Sequence, residues 1–549
     1  MTASLKRLFL IAITLIVIPL VTLSLWSSLT EPQITDRLQL YQTDLLLHVS
    51  ELAADSGDPG DSDSNNLLAA RKAIVGDDPL KTAVEQYQEV RKTAQTNLQK
   101  FQKQVEQADA LTAPNPPSAL DPSDGLPAAP EKSSTSTAKS NATSASASNF
   151  QKQQVLLNQL DLRIGLLQAQ QNQLSTAQST WQQVQASGRD SPPAIAEATA
   201  ETRSLAAVLS NLWREPSQIL PDTEAQLQTL QGWFKYVSLA RLYQLQQRTD
   251  ALADLQAQEQ ITARSTLVKL ALVSTVPALG AVLGVGLLIG WLTWRLRRGE
   301  SSPLVGWTVP WNWETIAWVL MVGFLFVGQI AIPGLLAVGS RLLAQGGISI
   351  SLAGAAGQSK ALYTLVYYLL MAGTGLFVLY RAVKPYQPLP EGWFRLTGKR
   401  WLLWGLGGYF AALPLMFAVS LLNQQFWQGQ GGSNPLLQIV LEEGDPVALL
   451  IFFLTAAVAA PVFEEILFRG FLLPSLTRYL PVWGAILVSG LIFALAHLSF
   501  SEVLPLATLG VMLGFVYSRS RGLLASMLLH SLWNSVTMVG LFVLGSGVE

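Results

Sequence analysis

The chain has 549 residues, half of them hydrophobic and 13% charged, with a net charge of -1. Soluble domains carry about 25% charged residues, so this composition indicates a membrane protein that contains a polar segment. The balanced charge gives no basis for nucleic-acid binding. The absence of cysteine excludes disulfides, thiolate metal sites and a cysteine nucleophile.

A long apolar run follows two basic residues near the start of the chain. Lys6 and Arg7 precede the run from Leu8 to Trp26, which is long enough to span a bilayer. A positive flank before the first span predicts a cytoplasmic N-terminus. A cleavable signal peptide is the alternative, but the run is long for one and no A-x-A site follows it. We therefore expect residues 1–30 to be an uncleaved transmembrane anchor.

Residues 31–265 are rich in Gln, Ala, Leu, Asp and Glu and contain no spanning run. This composition predicts an extracytoplasmic helical region between the first and second spans. Within it, residues 113–148 are dominated by Pro, Ser, Ala and Thr, too few of them large and apolar to build a core. We interpret that tract as a disordered linker. His48 lies on a leucine-rich helix and is expected to be a packing or surface residue.

Large side chains recur at steps of three and four residues after this linker, which predicts a coiled coil or helical bundle. The seam consists of Leu157, Leu160, Ile164, Leu167, Gln171, Leu174, Gln178 and Trp181. Such a region could bind a protein partner, associate with a second copy, or restrict access to the membrane part. A structural spacer is the default interpretation.

Hydropathy predicts eight further spans, so the fold class is an all-α polytopic membrane bundle with about nine spans. The predicted helices cover 268–294, 315–338, 361–381, 401–422, 447–477, 481–498, 503–518 and 523–543. Basic residues concentrate at alternate ends of these helices, which fits a cytoplasmic N-terminus and an outside C-terminus. We expect residues 266–300 to hold the second span and residues 310–549 to form a membrane-embedded domain.

The segment Pro461–Gly470 places two adjacent carboxylates and an arginine inside an apolar run. A charge at bilayer depth costs several kcal/mol unless it is paired or hydrated. Glu465 and Arg469 are one helical turn apart and can neutralise each other. Glu464 points about 100° away and has no local partner, which suits a general base. In the alternative interpretation, both glutamates mark the mouth of an ordinary transmembrane helix.

Two of the three histidines of the chain lie on the spans that follow. Phe493 and His497 share one helical face, and so do His530 and Asn534. At about 1.5 Å per residue, these residues can reach the depth of Glu464 once tilt is allowed for. Neither packing nor lipid contact requires such a polar cluster, so we predict a functional site around a hydrated cavity.

The three motifs resemble those of the CPBP (CaaX protease and bacteriocin-processing, formerly Abi) intramembrane proteases, relatives of the CaaX prenyl endopeptidases. Glu464-Glu465-x3-Arg469, Phe493-x3-His497 and His530-x3-Asn534 match in order and spacing. The resemblance covers about residues 400–545 and does not extend to residues 31–265. It implies an endopeptidase in the lipid bilayer that cleaves a peptide or membrane-protein substrate.

The resemblance also implies a role for each residue. Glu464 would activate water with help from His497, and His530 and Asn534 would donate hydrogen bonds to the oxyanion. Glu465, Arg469 and Phe493 would be structural support.

Metal dependence stays open at this point, because relatives are often called metalloproteases. Zinc is the candidate metal, with Glu464, His497 and His530 as candidate ligands. The sequence has no HExxH pair, and Asn is an uncommon zinc ligand, so we favour a metal-free glutamate mechanism.

Two other functions fit the sequence less well. A membrane scaffold or partner-binding protein would act through residues 31–265 and use the polar cluster only to hold helices together. A transporter with an intramembrane ion site is disfavoured because no inverted repeat is evident. The substrate, the partner of residues 31–265 and the oligomeric state are not indicated by the sequence.

Overall fold

The computed structural model describes residues 3–29, 34–52, 62–112, 134–188, 193–298, 304–345, 357–427, 431–432, 439–440 and 444–545. These residues are helical with connecting turns, and none of them lies in a β-strand. The all-α class predicted from the sequence is therefore confirmed. The chain divides into two compact units: a membrane unit, Met1–Thr35 with Lys269–Gly547, and an N-terminal helical unit, Asp36–Val268.

The helices alternate with short turns along the chain. In order they are α1 (Ala3–Ser28), α2 (Ile34–Ser50), α3 (Ser62–Val75), α4 (Pro79–Thr112), α5 (Ser134–Gln170), α6 (Leu174–Ala186), α7 (Pro193–Ala198), α8 (Ala200–Leu212), α9 (Thr223–Leu227), α10 (Gly232–Leu245), α11 (Thr249–Arg298), α12 (Trp313–Ala317), α13 (Ile332–Gln345), α14 (Gly357–Val383), α15 (Trp401–Trp427), α16 (Pro446–Leu454), α17 (Ala460–Glu464), α18 (Leu473–Leu476), α19 (Val482–Leu495), α20 (Phe500–Ser520) and α21 (Leu523–Gly545). Wide π-helical turns join α12 to α13 over Trp318–Ala331, α16 to α17 over Thr455–Ala459, and α17 to α18 over Glu465–Leu472.

Eight helical segments among the described residues are long and apolar enough to cross a membrane, and the chain is an integral, multi-pass membrane protein. The predicted span 481–498 is shorter than expected, because α19 contains only 14 residues. At about 1.5 Å per residue it extends roughly 21 Å, less than a bilayer core. The chain turns after α19 at Leu498, whose φ is 58°. About nine predicted spans thus correspond to eight long helices and one short one.

The coiled-coil seam predicted over residues 157–181 is not a continuous helix. α5 ends at Gln170, the chain turns through Asn172 with a φ of 60°, and α6 packs back against α5. Trp181 is fully buried, and its indole N–H donates to the carbonyl of Leu162 at 3.2 Å. Gly165 makes this approach possible, since a Cβ there would lie 2.3 Å from the indole nitrogen. The large apolar seam residues of α5 and Trp181 therefore fill the core of a helical hairpin within a bundle, whereas Gln171, Leu174 and Gln178 are partly exposed.

The predicted linker, residues 113–148, is described only in part. Residues 113–133 lie outside the described residues. From Ser134 onward the backbone is helical as the first turns of α5, which differs from the expectation of disorder. The tract contains no proline after Pro130 and several alanines, and alanine has the highest helix propensity.

His48 is buried in the N-terminal helical unit and pairs with two carboxylates. Its Nδ1 lies 2.7 Å from Oε1 of Glu259 on α11, and its Nε2 lies 3.9 Å from Oδ2 of Asp44. Burial alone lowers the pKa of His48, but the hydrogen bond and charge of Glu259, with the charge of Asp44, raise this pKa above its ordinary value. The imidazolium form therefore stabilises the contact between α2 and α11.

This pairing predicts a pH-dependent stability of α2. Because the folded pKa of His48 is raised, its contribution is complete below the unfolded pKa of about 6.5 and is lost as pH rises through the folded pKa. Hydrogen exchange on the full-length protein, corrected for intrinsic rates, should show protection of α2 amides falling with rising pH. His48→Gln should remove that dependence. Equal pH dependence in both proteins would contradict the assignment.

Candidate active site

The helix that carries Glu464 begins after a widened turn, and the sequence explains the widening. Pro461 has no N–H, so the carbonyl of Ala457 lacks its usual helical donor. The N–H of Ala460 bonds to Thr455, five residues back, which also frees the carbonyl of Ala456.

Two side chains of α21 satisfy these carbonyls. Ser531 donates its hydroxyl to Ala457, and the Asn534 side-chain amide donates to Ala456 at 2.7 Å. The widened turn and α21 are thus held together about two turns before Glu464.

Glu465 and Arg469 form an ion pair that is fully buried. Arg469 Nη1 donates to Glu465 Oε1 at 2.9 Å, and both side chains have 0% exposure. Arg469 Nη2 also donates to the carbonyl of Gly510 at 3.1 Å. That carbonyl is accessible because α19 and α20 cross closely: a Cβ on Gly510 would lie 2.7 Å from the Cα of Gly490. The pair ties the glutamate segment to the crossing of these helices.

His530 contacts both glutamates through different ring nitrogens. Its Nδ1 lies 3.0 Å from Glu465 Oε1, and its Nε2 lies 3.9 Å from Glu464 Oε2. An ionised carboxylate only accepts hydrogen bonds, so Glu465 paired with Arg469 requires His530 Nδ1 to carry a proton. Glu465 therefore fixes the ring so that Nε2 faces Glu464.

Glu464 has one oxygen bound and one oxygen available. Tyr368 on α14 donates its hydroxyl to Glu464 Oε1 at 3.0 Å. Oε2 accepts no hydrogen bond from the described residues and lies on the side of His530. The side chain is 14% exposed, whereas Glu465 is completely enclosed. These surroundings suit Glu465 to a structural role and Glu464 to a reactive one.

His497 is near this cluster without touching Glu464. Its Nδ1 lies 2.9 Å from the carbonyl of Phe493, which can only accept, so this nitrogen carries a proton. No hydrogen bond or ion pair joins His497 to Glu464. The Phe493 ring packs beside three of these side chains: its centroid is 5.0 Å from that of His497, 5.7 Å from that of His530 and 4.5 Å from the Arg469 guanidinium carbon.

The candidate zinc ligands do not form a metal-binding group in this arrangement. Nowhere in the described part of the chain do three His, Asp or Glu side chains converge in a way that could hold a metal ion. Glu464 and His530 approach each other, but His530 Nδ1 is engaged by Glu465 and His497 contacts neither glutamate. The side chains therefore do not fit a bound zinc as they stand.

Two residues of the cluster carried no signal in the sequence. Tyr368 lies almost a hundred residues before Glu464 on a helix with several tyrosines, and Ser531 follows His530 directly. A tyrosine or serine in a transmembrane helix is not unusual by itself. Their roles depend on which helices are neighbours, which spacing along one chain does not reveal.

Comparison with known proteins bears on this segment of the membrane unit. Residues 446–536 match the family model "Type II CAAX prenyl endopeptidase Rce1-like", and they contain both glutamates, both histidines and Asn534. This segment is an Rce1-like domain. The predicted relationship to the CPBP proteases is confirmed for this part of the chain. The Rce1-like domain runs from the start of α16 into α21 and does not include Tyr368.

Two curated proteins are similar to parts of the chain. "Putative membrane peptidase YdiL" of Bacillus subtilis (strain 168) is 26% identical over 139 residues, which are 25% of this chain and 55% of that protein. An "Uncharacterized 24.3 kDa protein" of Escherichia coli is 29% identical over 173 residues, which are 30% of this chain and 73% of that protein. The chain thus spans about half the length of the first of these relatives. No solved structure matches the chain with statistical significance.

Proposed function

We propose that the chain is an intramembrane endopeptidase in which Glu464 activates a water molecule to hydrolyse a peptide bond. The observation that carries the proposal is the available oxygen of Glu464, which faces Nε2 of His530 on a side chain that is 14% exposed, whereas Glu465 beside it is fully enclosed. The Rce1-like domain supports a protease, since its family description is that of an endopeptidase.

The proposed reaction transfers one proton twice. Glu464 Oε2 takes a proton from water, and the resulting hydroxide adds to the peptide carbonyl carbon. When the C–N bond breaks, the protonated Glu464 returns that proton to the leaving amine. Tyr368 holds the other oxygen of the carboxylate, which keeps Oε2 directed at the water.

His530 is the proposed donor to the oxyanion. Because its Nδ1–H is held by Glu465, the nitrogen of His530 that faces Glu464 and the proposed substrate carbonyl is Nε2, and it must carry a proton to donate there. Removing one oxyanion donor typically lowers the rate about 10²–10³-fold. For Asn534 an oxyanion role stays a prediction, since its amide is engaged with Ala456. The help of His497 in activating water also stays a prediction, and we derive no step through a metal.

Tyr368→Phe should lower kcat about 10–100-fold, because a hydrogen bond to a charged group contributes about 1.5–3 kcal/mol. The matched control is Tyr367→Phe, whose hydroxyl donates 3.3 Å to the carbonyl of Gly328 and does not contact Glu464. Cleavage rates and thermal unfolding of both variants distinguish the two positions. Equal rates for the two variants would remove Tyr368 from the site.

The proposed substrate class is a peptide or membrane protein that reaches the site from the bilayer. The basic experiment is cleavage of membrane proteins by the purified chain in lipid vesicles, with Glu464→Gln in parallel. Cleavage that requires Glu464 supports the protease.

The scaffold alternative predicts a different result in the same vesicle experiment. It predicts no cleavage and a cellular phenotype that depends on the N-terminal helical unit alone. We also propose that this unit is extracytoplasmic and binds a protein partner or a second copy, in accord with the topology predicted from the basic residues.

A further inference from the structure

The N-terminal helical unit contains a cavity of about 370 Å³ with a largely polar lining. It is bordered by the C-terminal ends of α2, α5 and α8, by one face of α10 and by α11. Tyr236, Ala240 and Gln244 mark the α10 face, since they follow one another at steps of one helical turn. A cavity of this volume is large enough for a small organic molecule.

Arg241 is the one cation among the described residues that line this cavity. Its side chain makes no hydrogen bond or ion pair with any other described residue, and its Nε is enclosed without an acceptor. A partly enclosed charge without a partner lowers stability, so its presence favours a role in binding. The free N–H donors of the guanidinium suit a carboxylate, which they bind in pairs.

Two carboxylates line the same cavity, and neither forms an ion pair with Arg241. Glu51 accepts the indole N–H of Trp233 through Oε1 at 2.9 Å, which orients the side chain. Its Oε2 has no partner among the described residues. Glu215 lies at the exposed rim and also makes no hydrogen bond or ion pair within the described part of the chain. Both are therefore available to a cationic group of a ligand.

The opposite charges act at different places along α10. Burial, followed by the charges of Glu51 and Glu259, raises the pKa of Tyr236 to about 12. Glu259 is paired with His48, so Glu51 is the carboxylate of the two that remains available beside Tyr236. Arg241 lies five residues further along the helix, roughly 7.5 Å at 1.5 Å per residue. The cavity thus presents an anionic and a cationic position that do not neutralise each other.

Four side-chain amides complete the polar lining, namely those of Gln170, Asn172, Gln244 and Gln256. None of these amides is engaged by another side chain or backbone group that the structure describes. An amide offers one carbonyl acceptor and two N–H donors, so it can bind a polar group of either kind. These side chains suit a ligand that has polar groups besides its two charges.

We propose that this cavity binds a free amino acid with a polar side chain. Arg241 holds the α-carboxylate, Glu51 holds the α-ammonium with Glu215 adding negative charge at the rim, and the amides bind the side chain. A ligand with a single charge would leave one of the two charged positions without a partner, and a neutral sugar would leave both.

The first test changes the ligand. The standard L-amino acids and glucose are titrated into the full-length protein in detergent by isothermal titration calorimetry. The amino acid that binds most tightly is then compared with its carboxamide, which lacks the carboxylate, and with its N-acetyl derivative, which lacks the ammonium. Each derivative should bind about 10–100-fold more weakly, because each loses a hydrogen bond between charged groups. Glucose should not bind.

The second test changes the cavity. Arg241→Gln should weaken binding of the free amino acid about 10–100-fold and leave the affinity for its carboxamide unchanged. Glu51→Gln keeps an acceptor for Trp233 and should act in the same way, with the N-acetyl derivative as the insensitive ligand. The matched controls are Lys92→Gln and Glu85→Gln, which are exposed on α4, a helix that contributes no lining residue. Both controls should bind as wild type does.

The proposal is wrong if no amino acid binds, if glucose binds as tightly as the best amino acid, or if the two derivatives bind as well as the free amino acid. It is also wrong if Arg241→Gln leaves the affinity unchanged. An equal loss for every ligand, with a lower unfolding temperature, would assign Arg241 and Glu51 to the fold and not to a ligand. None of these measurements uses proteolysis, so this site and the proposed activity stand or fail separately.

Discussion

Glu464→Gln should abolish peptide hydrolysis and leave the fold intact. Glutamine keeps the shape of the side chain and can still accept the hydroxyl of Tyr368 through its carbonyl oxygen. It cannot take a proton from water, and general-base catalysis contributes about 10²–10⁴ in rate. We expect kcat to fall by at least that factor in purified protein. Thermal unfolding and the detergent elution profile should match those of wild type.

The control for this substitution is Glu465→Gln, one residue away. That change removes the charge that pairs with the fully buried Arg469, so it should lower stability as well as activity. If Glu464→Gln destabilised the protein as much as Glu465→Gln does, Glu464 would be a structural anion. If it cleaved substrate at the wild-type rate, the proposed mechanism would be wrong.

Arg469→Met should destabilise the membrane unit by about 3–5 kcal/mol. Methionine has a similar length, but it leaves the buried carboxylate of Glu465 without its cation, and removing one partner of a buried pair has an effect of this size. The carbonyl of Gly510 loses a donor as well. The free energy of unfolding, measured by denaturant titration in mixed micelles, checks the value. Without Arg469 the carboxylate of Glu465 is no longer held in place, and His530, which it orients, loses its fixed position. Activity should therefore fall too.

A double-variant cycle separates the pair from the rest of the helix. Glu465→Leu combined with Arg469→Met removes both charges, so the double variant should be more stable than the sum of the single changes predicts. Arg248→Met is the control, because its pair with Glu224 is exposed and contributes less than about 1 kcal/mol. A change at Arg469 as small as that at Arg248 would contradict a dry, fully buried ion pair.

The membrane architecture could be predicted from the sequence because apolar runs of about 20 residues have few other interpretations. The lengths of the helices in the N-terminal helical unit could not be predicted in this way. The glutamine-interrupted seam over 157–181 fits one long helix or two short ones, and the decision depends on Asn172 adopting a positive φ and on the fit of Trp181 against Gly165. The hydrophobic periodicity of the sequence does not predict contacts of this kind, because it does not show which residues of separate helices pack together.

The candidate site divides in the same way. The pairing of Glu465 with Arg469 follows from helical spacing, and the polar cluster follows from the expense of charge in lipid. The hydrogen-bond partners that distinguish Glu464 from Glu465 could not be predicted from the sequence. Tyr368, Ser531 and the carbonyls freed by Pro461 come together only through packing of α14, the widened turn and α21. The sequence also predicted that His497 acts beside Glu464. In the structure no hydrogen bond or ion pair joins these two residues.

The most direct test of the central claim is isotope incorporation during cleavage. Purified chain in lipid vesicles is incubated with membrane proteins in water enriched in oxygen-18, and the new carboxyl termini are analysed by mass spectrometry. If Glu464 activates water, each new carboxyl terminus carries one oxygen-18 atom, and the fragments are absent with Glu464→Gln. Identical fragments from the wild-type and Glu464→Gln proteins would contradict the account.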